Sequence, residues 1–366
     1  MEGLINISSS NSSEMSNEFP NSTTDPRVYR SSVERQVLSA IIFFDSSIGL
    51  LGNAAVVFAV LTVKKLQTTT NVFVVNLAAA DFLTCIVAIL QSVVFLKGEL
   101  VFPVAVCQAM AFGILVCVGC SVNNLMCVAV NRLVGITTAT HSVFRKLYTP
   151  CKLSMTVVLT WLVPAAVAII PFVSDYGELG YNPVYHSCSW RSNRAYQPRY
   201  SMVVVVVYFP LQFAILFASY LRIWLFVRGT TKSTLRQDRA GEASTGNRVF
   251  QQQLLKRQIA VTKNLFLVVC VFLLCISPYF LLVALPSSLV DNILPTTSTI
   301  LMANSCVNPI IYGTKHPDFR AAFARVLPCR RKVRKTSQTK STQDTKETSK
   351  QQLKSVSSAT TEQTHA

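Results

Sequence analysis

Residues 72–96 have the sequence VFVVNLAAADFLTCIVAILQSVVFL, in which Asp81 is the single charged side chain. An α-helix needs about 20 mainly apolar residues to cross the hydrocarbon core of a bilayer, so this run is long enough to span a membrane. Six further apolar runs lie at residues 37–63, 104–136, 153–173, 200–227, 259–285 and 289–313. The last of them is the least apolar. The sequence therefore predicts an all-α membrane protein with a bundle of seven transmembrane helices.

The composition agrees with this fold class. Of the 366 residues, 51% are hydrophobic and 14% are charged, whereas soluble domains carry about a quarter charged residues. The net charge of +17 is compatible with a nucleic-acid partner, but the basic residues lie in the segments between the apolar runs. We therefore expect membrane lipids and no nucleic acid among the partners.

The distribution of basic residues predicts the orientation in the membrane. When alternate connections are assigned to two sides, one side collects 27 of the 34 Lys and Arg residues. Without the 12 that follow residue 313, the ratio is still 15 to seven. Lys and Arg accumulate on the cytoplasmic side, and N-glycosylation sequons at Asn6, Asn11 and Asn21 suit the other side. A multi-pass plasma-membrane protein with an extracellular amino terminus is predicted.

Four segments follow one another along the chain. Residues 1–36 form a polar leader that is predicted to be disordered and glycosylated, and residues 37–313 contain the seven spans. Residues 314–329 place Phe319, Ala322, Phe323 and Val326 at helical spacing, which predicts an amphipathic helix on the cytoplasmic membrane surface. Residues 330–366 are rich in Ser and Thr and predict a disordered tail that kinases could phosphorylate.

Three of the eleven cysteines differ from the rest in position. Cys329 follows the amphipathic segment, where a cysteine is either palmitoylated or left as a free cytosolic thiol. Cys107 and Cys188 are the only two cysteines outside the apolar interiors on the extracellular side. We expect a disulfide between them that holds the loop over the bundle, with two unpaired thiols as the alternative.

Several polar side chains lie inside the predicted spans. A charge in the hydrocarbon is costly, so Asp81 is a candidate functional residue. A sodium ion or a water cluster could be enclosed with it by Asn53, Ser121, Asn124, Asn304, Ser305 and Asn308. The alternative is a set of separate hydrogen bonds between helices, which we favour for Asn53.

The third span ends in Asn131-Arg132-Leu133. An arginine at this place can hold helix ends together in one state and contact a partner in another, although it could also extend its side chain to lipid headgroups. Pro210 and Pro278 interrupt the fifth and sixth spans, and prolines provide hinges. A protein that switches between two arrangements is therefore predicted.

Taken together, these residues resemble the rhodopsin-like (class A) G-protein-coupled receptors from about residue 39 to residue 327. The matching positions are Gly52, Asn53, Leu77, Asp81, Cys107, Arg132, Trp161, Tyr220, Phe272, Pro278 and the run Asn308-Pro309-Ile310-Ile311-Tyr312. The resemblance implies a receptor coupled to a heterotrimeric G protein, with arrestin and kinases as further partners of the tail. It also implies a sodium pocket of Asp81, Ser121, Asn304 and Asn308, a switch of Asn131, Arg132, Tyr220 and Tyr312, and hinges at Pro278 and Pro309.

Finer features are similar to melatonin receptors and their orphan relatives. These are Asn131-Arg132, Gly180-Tyr181-Asn182-Pro183, Tyr220-Leu221-Arg222-Ile223-Trp224 and Asn304-Ser305-Cys306-Val307-Asn308. The chain departs from the family pattern at Leu133, at Ile276 and at Pro210, which lies two residues earlier than usual. Pro309 follows the general receptor pattern and not that of melatonin receptors. These departures leave open a receptor that has lost signalling.

The ligand is predicted to be small and neutral or apolar. Ile114 stands where amine receptors carry an aspartate, so a protonated amine would lack a counter-ion there. Candidate pocket residues are Ile114, Val118, Trp190, Tyr279, Phe280 and Ser298, although large aromatics in a bundle often serve packing alone. The positions equivalent to those that hold melatonin, Phe172 or Val173 and Ser192, do not match, so a lipid or peptide ligand remains an alternative.

A transporter or ion pathway and a membrane enzyme are the two other function classes that the sequence could indicate. Intramembrane carboxylates and broken helices also occur in transporters and ion pathways, but the internal repeats typical of transporters are missing. Enzymatic activity is not expected, since His141, His186, His316 and His365 have no metal-ligand spacing and no nucleophile constellation accompanies them. No cofactor or metal is expected beyond the sodium ion.

Overall fold

The computed structural model describes residues 32–138, 141–174, 177–191, 197–208, 210–239, 246–283, 285 and 292–326. The helices in these residues are α1 (Ser32–Thr62), α2 (Thr69–Lys97), α3 (Val104–Thr137), α4 (His141–Leu147), α5 (Pro150–Val173), α6 (Gln197–Tyr208), α7 (Pro210–Arg239), α8 (Gly246–Val283), α9 (Leu294–Lys315) and α10 (Pro317–Val326). Residues Asn6, Asn11, Asn21, Ser192 and Cys329, together with the 330–366 tail, lie outside the described residues.

The long helices pack side by side in one bundle. Helix α1 contacts α2 and α9, α2 contacts α3, and α3 contacts α5 and α7, while α8 packs on α9. Local signals fix several helix ends: Thr68 Oγ1 accepts a hydrogen bond from Asn71 N at the start of α2, and Gly98 ends that helix in the left-handed conformation with φ 74°. Thr149 caps α5 in the same way, ahead of Pro150.

Six helical segments of the described chain are long and apolar enough to cross a bilayer. They correspond to α1, α2, α3, α5, the α6–α7 pair and the second half of α8. Helix α9 falls below that apolarity because it carries Asn304, Ser305 and Asn308, but it occupies the seventh place in the bundle, against α1, α2 and α8. The predicted seven-helix bundle is confirmed, including the weak apolarity of its last member.

Several predicted boundaries need correction. Helix α1 begins at Ser32, so residues 32–36 of the predicted leader are helical. Most of residues 228–257, which lie between the fifth and sixth predicted spans, are also helical, since α7 continues to Arg239 and α8 begins at Gly246. Gln, Leu, Lys and Arg, which favour helix, are frequent there. Helix α9 extends to Lys315, and α10 covers only 317–326 of the predicted 314–329 segment.

The prediction of an all-α protein misses a two-stranded sheet. Strands β1 (Glu178–Asn182) and β2 (Ser187–Arg191) form an antiparallel hairpin in which Leu179 lies opposite Trp190. Asn182 Oδ1 accepts a hydrogen bond from Val184 N at 3.0 Å and shapes the turn. The hairpin covers one end of the bundle, called here the hairpin end, and α10 lies at the opposite one, the α10 end.

Helix α10 is amphipathic as predicted, but part of its apolar face is covered by protein. The Phe319 ring is fully buried and stacks on Tyr312 with 5.3 Å between ring centroids, and Ala322 is also buried. Arg320 and Arg325 are exposed. Lys65 Nζ lies 2.8 Å from Asp318 Oδ1 and ties α10 to the 3₁₀ turn Lys64–Leu66. The helix therefore packs on the bundle as well as having a surface free for lipid.

Candidate functional site: a lidded cavity, a polar centre and a buried arginine

Asp81 is the centre of a buried hydrogen-bonded group between α2, α3 and α9. Its Oδ1 accepts hydrogen bonds from Ser121 Oγ and Ser305 Oγ, each at 3.1 Å, and its Oδ2 accepts one from Asn308 Nδ2 at 2.7 Å. All four residues are at most 4% exposed. Three donors from two neighbouring helices therefore converge on one carboxylate, which offsets part of the cost of its burial.

Asn304, the remaining member of the predicted sodium pocket, is not among the described residues that donate a hydrogen bond to Asp81. The two donors that α9 contributes to Asp81 are Ser305 and Asn308. These residues are three positions apart, so they lie on one face of the helix. The Oδ1 atom of Asn304 is buried and has no hydrogen-bond partner. Asn53 donates to Ser305 O at 2.9 Å, and its Oδ1 is likewise buried without a partner.

Two unpartnered oxygen acceptors therefore lie next to the residues that hold Asp81. Hard cations bind carboxylate, hydroxyl and carbonyl oxygens, which are the groups present here. Asp81 would supply the carboxylate oxygens, Ser121 and Ser305 would supply hydroxyl oxygens, and Asn304 or Asn53 would supply an amide carbonyl oxygen. The donor set fits a sodium ion, which would contribute a positive charge beside the carboxylate.

Asn124 belongs to a different group. Asn76 Nδ2 donates to Asn124 Oδ1 at 2.8 Å and to Thr160 Oγ1 at 2.9 Å, and Trp161 Nε1 donates to Asn76 Oδ1 at 2.8 Å. Asn124 Nδ2 completes the group through Cys120 O. These bonds fasten α2, α3 and α5 together. For Asn124 the structure therefore shows hydrogen bonds between helices rather than a share in the Asp81 site.

The hairpin is fixed to the bundle at several points. A disulfide joins Cys107 to Cys188, as predicted. Cys188 N donates to Gln91 Oε1 at 3.1 Å, and Tyr181 Oη donates to Gly98 O at 3.0 Å. Burial raises the pKa of Tyr181, and nearby Arg35 partly opposes this, so the phenol stays protonated and able to donate. The hairpin is thereby anchored to α2 as well as to α3.

A cavity of about 70 Å³ lies beneath the hairpin. Helices α2, α3, α8 and α9 and strand β2 contribute its walls, with no charged side chain among the lining residues. Of the predicted ligand residues, the cavity is lined by Ile114, Trp190, Tyr279 and Ser298. Gln91, on α2, supplies a polar group that sequence reasoning missed. The site can enclose a small uncharged group.

Val118 and Phe280, also predicted as ligand residues, do not line this cavity. Val118 packs against the core, and the buried Phe280 ring lies edge-on to Tyr279 with 5.8 Å between centroids. Trp190 contacts Tyr200 at 6.4 Å and Tyr279 at 6.1 Å in similar edge-on geometry. These aromatic contacts fill the α6 side of the hairpin end, so the open space is displaced toward α2 and α9.

Arg132 lies near the α10 end of α3, where its side chain is half-buried. Its Nε atom is buried without a hydrogen-bond partner, and so is the hydroxyl of Tyr220. The two residues are close enough to interact electrostatically. No ion pair between Arg132 and an acidic side chain occurs in the described part of the chain. The guanidinium therefore retains unused hydrogen-bonding capacity.

The neighbouring switch residues are held separately. Asn131 Oδ1 accepts a short hydrogen bond from Thr70 Oγ1 on α2. Tyr312 is buried against Phe319 of α10, and Tyr220 lies 5.0 Å from Phe266 between ring centroids. The structure thus brings Arg132 and Tyr220 together. Asn131 is instead bonded to α2, and Tyr312 packs on α10.

The two prolines predicted as hinges both lie inside helices. Pro278 lies within α8 and Pro309 within α9. A Cβ atom on Gly52 of α1 would lie 2.7 Å from Pro309 Cβ, so the two helices touch at this point. Pro210 is the first residue of α7 and lies within the fifth span, Met202–Thr230; residue 209 is outside the described residues.

The architecture is that of a seven-transmembrane receptor, and comparisons with known proteins identify the family. Residues 52–312 match the family described as 7 transmembrane receptor (rhodopsin family), and the chain belongs to that family. It is similar to the mouse melatonin receptor type 1B, with 31% identity over 80% of this chain and 78% of that protein. Melanopsin-B of Xenopus laevis is 28% identical over 80% of this chain and 55% of its own length.

A solved structure has the same fold. Squid rhodopsin superposes with a TM-score of 0.71 at 21% identity, over 82% of this chain and 88% of that one. The resemblance to rhodopsin-like and melatonin receptors is thus confirmed, and the family consists of receptors and not of enzymes.

Proposed function

We propose that this protein is a G-protein-coupled receptor that transmits the binding of a small, uncharged extracellular ligand to a heterotrimeric G protein. The observation that carries the proposal is the uncharged cavity beneath the disulfide-tethered hairpin, which is lined by Ile114, Trp190, Tyr279 and Ser298. A protonated amine would find no carboxylate among the described residues that line the cavity. The names of the melatonin receptors to which the chain is similar agree with a small ligand.

The α10 end supports the second half of the proposal. Arg132 and Tyr220 each retain a buried polar atom without a partner, and an unsatisfied buried group costs about 1–3 kcal/mol. A partner that supplied carbonyl oxygens between α3, α7 and α8 would remove this cost. The switch is therefore suited to binding a segment of a G protein when these helices separate.

Nucleotide exchange on purified G proteins tests this function. The full chain in lipid vesicles should accelerate exchange on at least one G-protein type, with and without added small neutral compounds. Arg132→Ala should abolish the acceleration, while Arg325→Ala, which removes an exposed arginine at the same end, should retain it. Exchange no faster than in empty vesicles would contradict the proposal and favour the signalling-silent receptor. Sodium or proton flux through the same vesicles would favour the ion pathway.

The sodium site forms part of the proposal. Asp81 with Ser121, Ser305 and Asn308 would hold the ion, and the unpartnered acceptor of Asn304 would complete its oxygen ligands. Sodium should therefore raise the melting temperature of the wild-type receptor, whereas potassium should not. An equal response to both salts would exclude the site.

The orientation is proposed from the charge distribution. An extracellular amino terminus requires glycan on the sequons at Asn6, Asn11 and Asn21. Removal of N-glycans should shift the electrophoretic mobility of the wild type, and the triple Asn→Gln variant should show no shift. If an antibody reached the amino terminus only after the cells were permeabilised, the amino terminus would be cytoplasmic and the proposed orientation would be wrong.

A further inference from the structure

The side-chain amide of Gln91 has a fixed orientation. A backbone N–H can only donate, so the atom that accepts from Cys188 N at 3.1 Å must be the Gln91 oxygen. The NH₂ group consequently lies on the other side of the amide. No described residue accepts a hydrogen bond from it, although the side chain as a whole is only 2% exposed. Because Gln91 lines the cavity, this donor is available to a ligand there.

Tyr279 provides a second donor from a different helix. Its ring is enclosed by the rings of Trp190 and Phe280, which leaves the position of the hydroxyl well defined. The hydroxyl makes no hydrogen bond to a described residue, and Tyr279 lines the same cavity. Ser298, by contrast, already donates its hydroxyl hydrogen to Pro295 O at 2.8 Å.

The remainder of the wall sets the character of the ligand. Leu115, Leu301 and Phe95 present apolar surface, and none of the described residues that line the cavity is acidic or basic. Neither the Gln91 NH₂ group nor the Tyr279 hydroxyl has an acceptor among the described residues, and both residues line the open space of the cavity. A ligand that brings a hydrogen-bond acceptor can pair with both donors, whereas a ligand that brings only donors leaves the Gln91 NH₂ group unpaired.

From this donor excess we infer that the receptor recognises a small neutral molecule through a hydrogen-bond acceptor, such as an amide carbonyl, bound by Gln91 Nε2 and Tyr279 Oη between α2, α8 and α9. The inference rests on the proposed function and adds the recognition chemistry. It also assigns the ligand to the α2 and α9 side of the hairpin end, because the contacts of Trp190 with Tyr200 and Tyr279 close the α6 side.

Two compounds built on the same benzyl group separate acceptor recognition from cation recognition. N-benzylacetamide is neutral and carries an amide carbonyl, while benzylamine carries an ammonium group on the same ring. The melting temperature of the purified full-length receptor is measured against the concentration of each compound, since a ligand that binds only the folded state raises it. N-benzylacetamide should stabilise the wild type, and benzylamine should not.

Variants at the two donors then test the assignment. Gln91→Glu keeps an oxygen for Cys188 N but replaces the donor by a carboxylate, so the preference should reverse toward benzylamine. Tyr279→Phe keeps the ring and should weaken N-benzylacetamide about tenfold. Gln108→Glu is the matched control, because it adds the same charge at the hairpin end from a residue outside the cavity lining. It should leave the affinity for both compounds unchanged.

Three results would overturn the inference. They are stabilisation of the wild type by benzylamine as strong as that by N-benzylacetamide, no stabilisation by N-benzylacetamide, and a change in Gln108→Glu equal to that in Gln91→Glu. If Gln91→Glu does not fold, the inference is tested by Tyr279→Phe alone: an unchanged affinity of this variant for N-benzylacetamide would then overturn it. These measurements contain no G protein, so failure of nucleotide exchange and failure of acceptor recognition are separate outcomes.

Discussion

The polar centre around Asp81 and the cavity beneath the hairpin leave opposite kinds of hydrogen-bonding groups unpaired. At the centre, the buried oxygens of Asn53 and Asn304 have no donor. In the cavity, the donors of Gln91 and Tyr279 have no acceptor among the described residues. An excess of acceptors suits a cation, and an excess of donors suits a neutral or electron-rich ligand. The comparison teaches that unpaired groups, rather than the number of polar residues, indicate what each site binds.

The largest effect is expected from removing the disulfide that holds the hairpin over the cavity. Cys188→Ser removes a crosslink over a sequence separation of 81 residues, and loss of a native disulfide typically costs about 2–5 kcal/mol. The receptor should unfold at lower temperature and lose binding of N-benzylacetamide, while the response to sodium should persist. Melting curves with each ligand measure both effects.

Cys107→Ser is the control for this prediction. It breaks the same bond, so the double variant should be no less stable than either single one. Additive losses in the double variant would show that the two cysteines act independently. If a cysteine variant lost both the sodium response and the binding of neutral ligands, the two sites would not be independent, which would contradict the proposal.

The second prediction removes the carboxylate from the centre. In Asp81→Asn, the oxygen can still accept from Ser121 and Ser305, but the new NH₂ group faces the NH₂ group of Asn308. We expect the sodium response to disappear and the free energy of unfolding to fall by about 1–3 kcal/mol, the cost of unpaired buried donors. Salt-dependent melting curves test both parts.

The exchanged pair sharpens this test. Asp81→Asn combined with Asn308→Asp restores one acceptor opposite one donor, so the double variant should be more stable than Asp81→Asn alone. A double variant whose loss equals the sum of the two single losses would show that the contact between residues 81 and 308 is unimportant. Binding of neutral compounds in the cavity should not change in either case.

The third prediction concerns the packing that keeps the α6 side closed. A Cβ atom on Gly119 would lie 2.6 Å from Tyr208 Cε1 and 2.7 Å from Pro164 Cβ. Gly119→Ala should therefore destabilise the receptor by on the order of 1–2 kcal/mol through overpacking. Gly113→Ala, on the same helix, meets only Val87 at 3.6 Å and should be neutral or slightly stabilising because alanine favours helix. Equal melting temperatures for the two variants would contradict the close contact.

Most of the fold could be predicted because the bilayer imposes a simple pattern on the sequence. Runs of about 20 apolar residues mark the spans, and intramembrane polar residues such as Asp81 and Asn308 stand out against them. The position of Cys107 and Cys188 outside the apolar interiors also predicted their disulfide correctly. Which polar residues of α9 bond Asp81 directly could not be predicted, because Asn304 and Ser305 are adjacent and only the rotation of α9 shows that Ser305 makes the contact.

The cavity was less predictable because it depends on contacts between distant parts of the chain. Gln91 was missed, since a polar residue near the end of a span has no sequence signal that distinguishes a ligand contact from a surface position. Its role depends on Cys188 N, 97 residues away. Val118 and Phe280 were chosen by family position, but the packing of Trp190, Tyr200 and Tyr279 moves the open space away from them. The strands were missed because β1 and β2 are only five residues long.

The smallest effect is expected in the Asn76 group, where the bonds of Asn76 join α2 to α3 and α5 and no ligand is involved. Trp161→Phe keeps an aromatic ring but removes the donor that reaches Asn76 Oδ1 at 2.8 Å. Hydrogen bonds between membrane helices contribute about 0.6 kcal/mol on average, so the melting temperature should fall slightly. Neither the sodium response nor the binding of N-benzylacetamide should change. A loss of either response would mean that the Asn76 group couples the two sites, and the opposite unpaired groups at centre and cavity would then belong to one connected network.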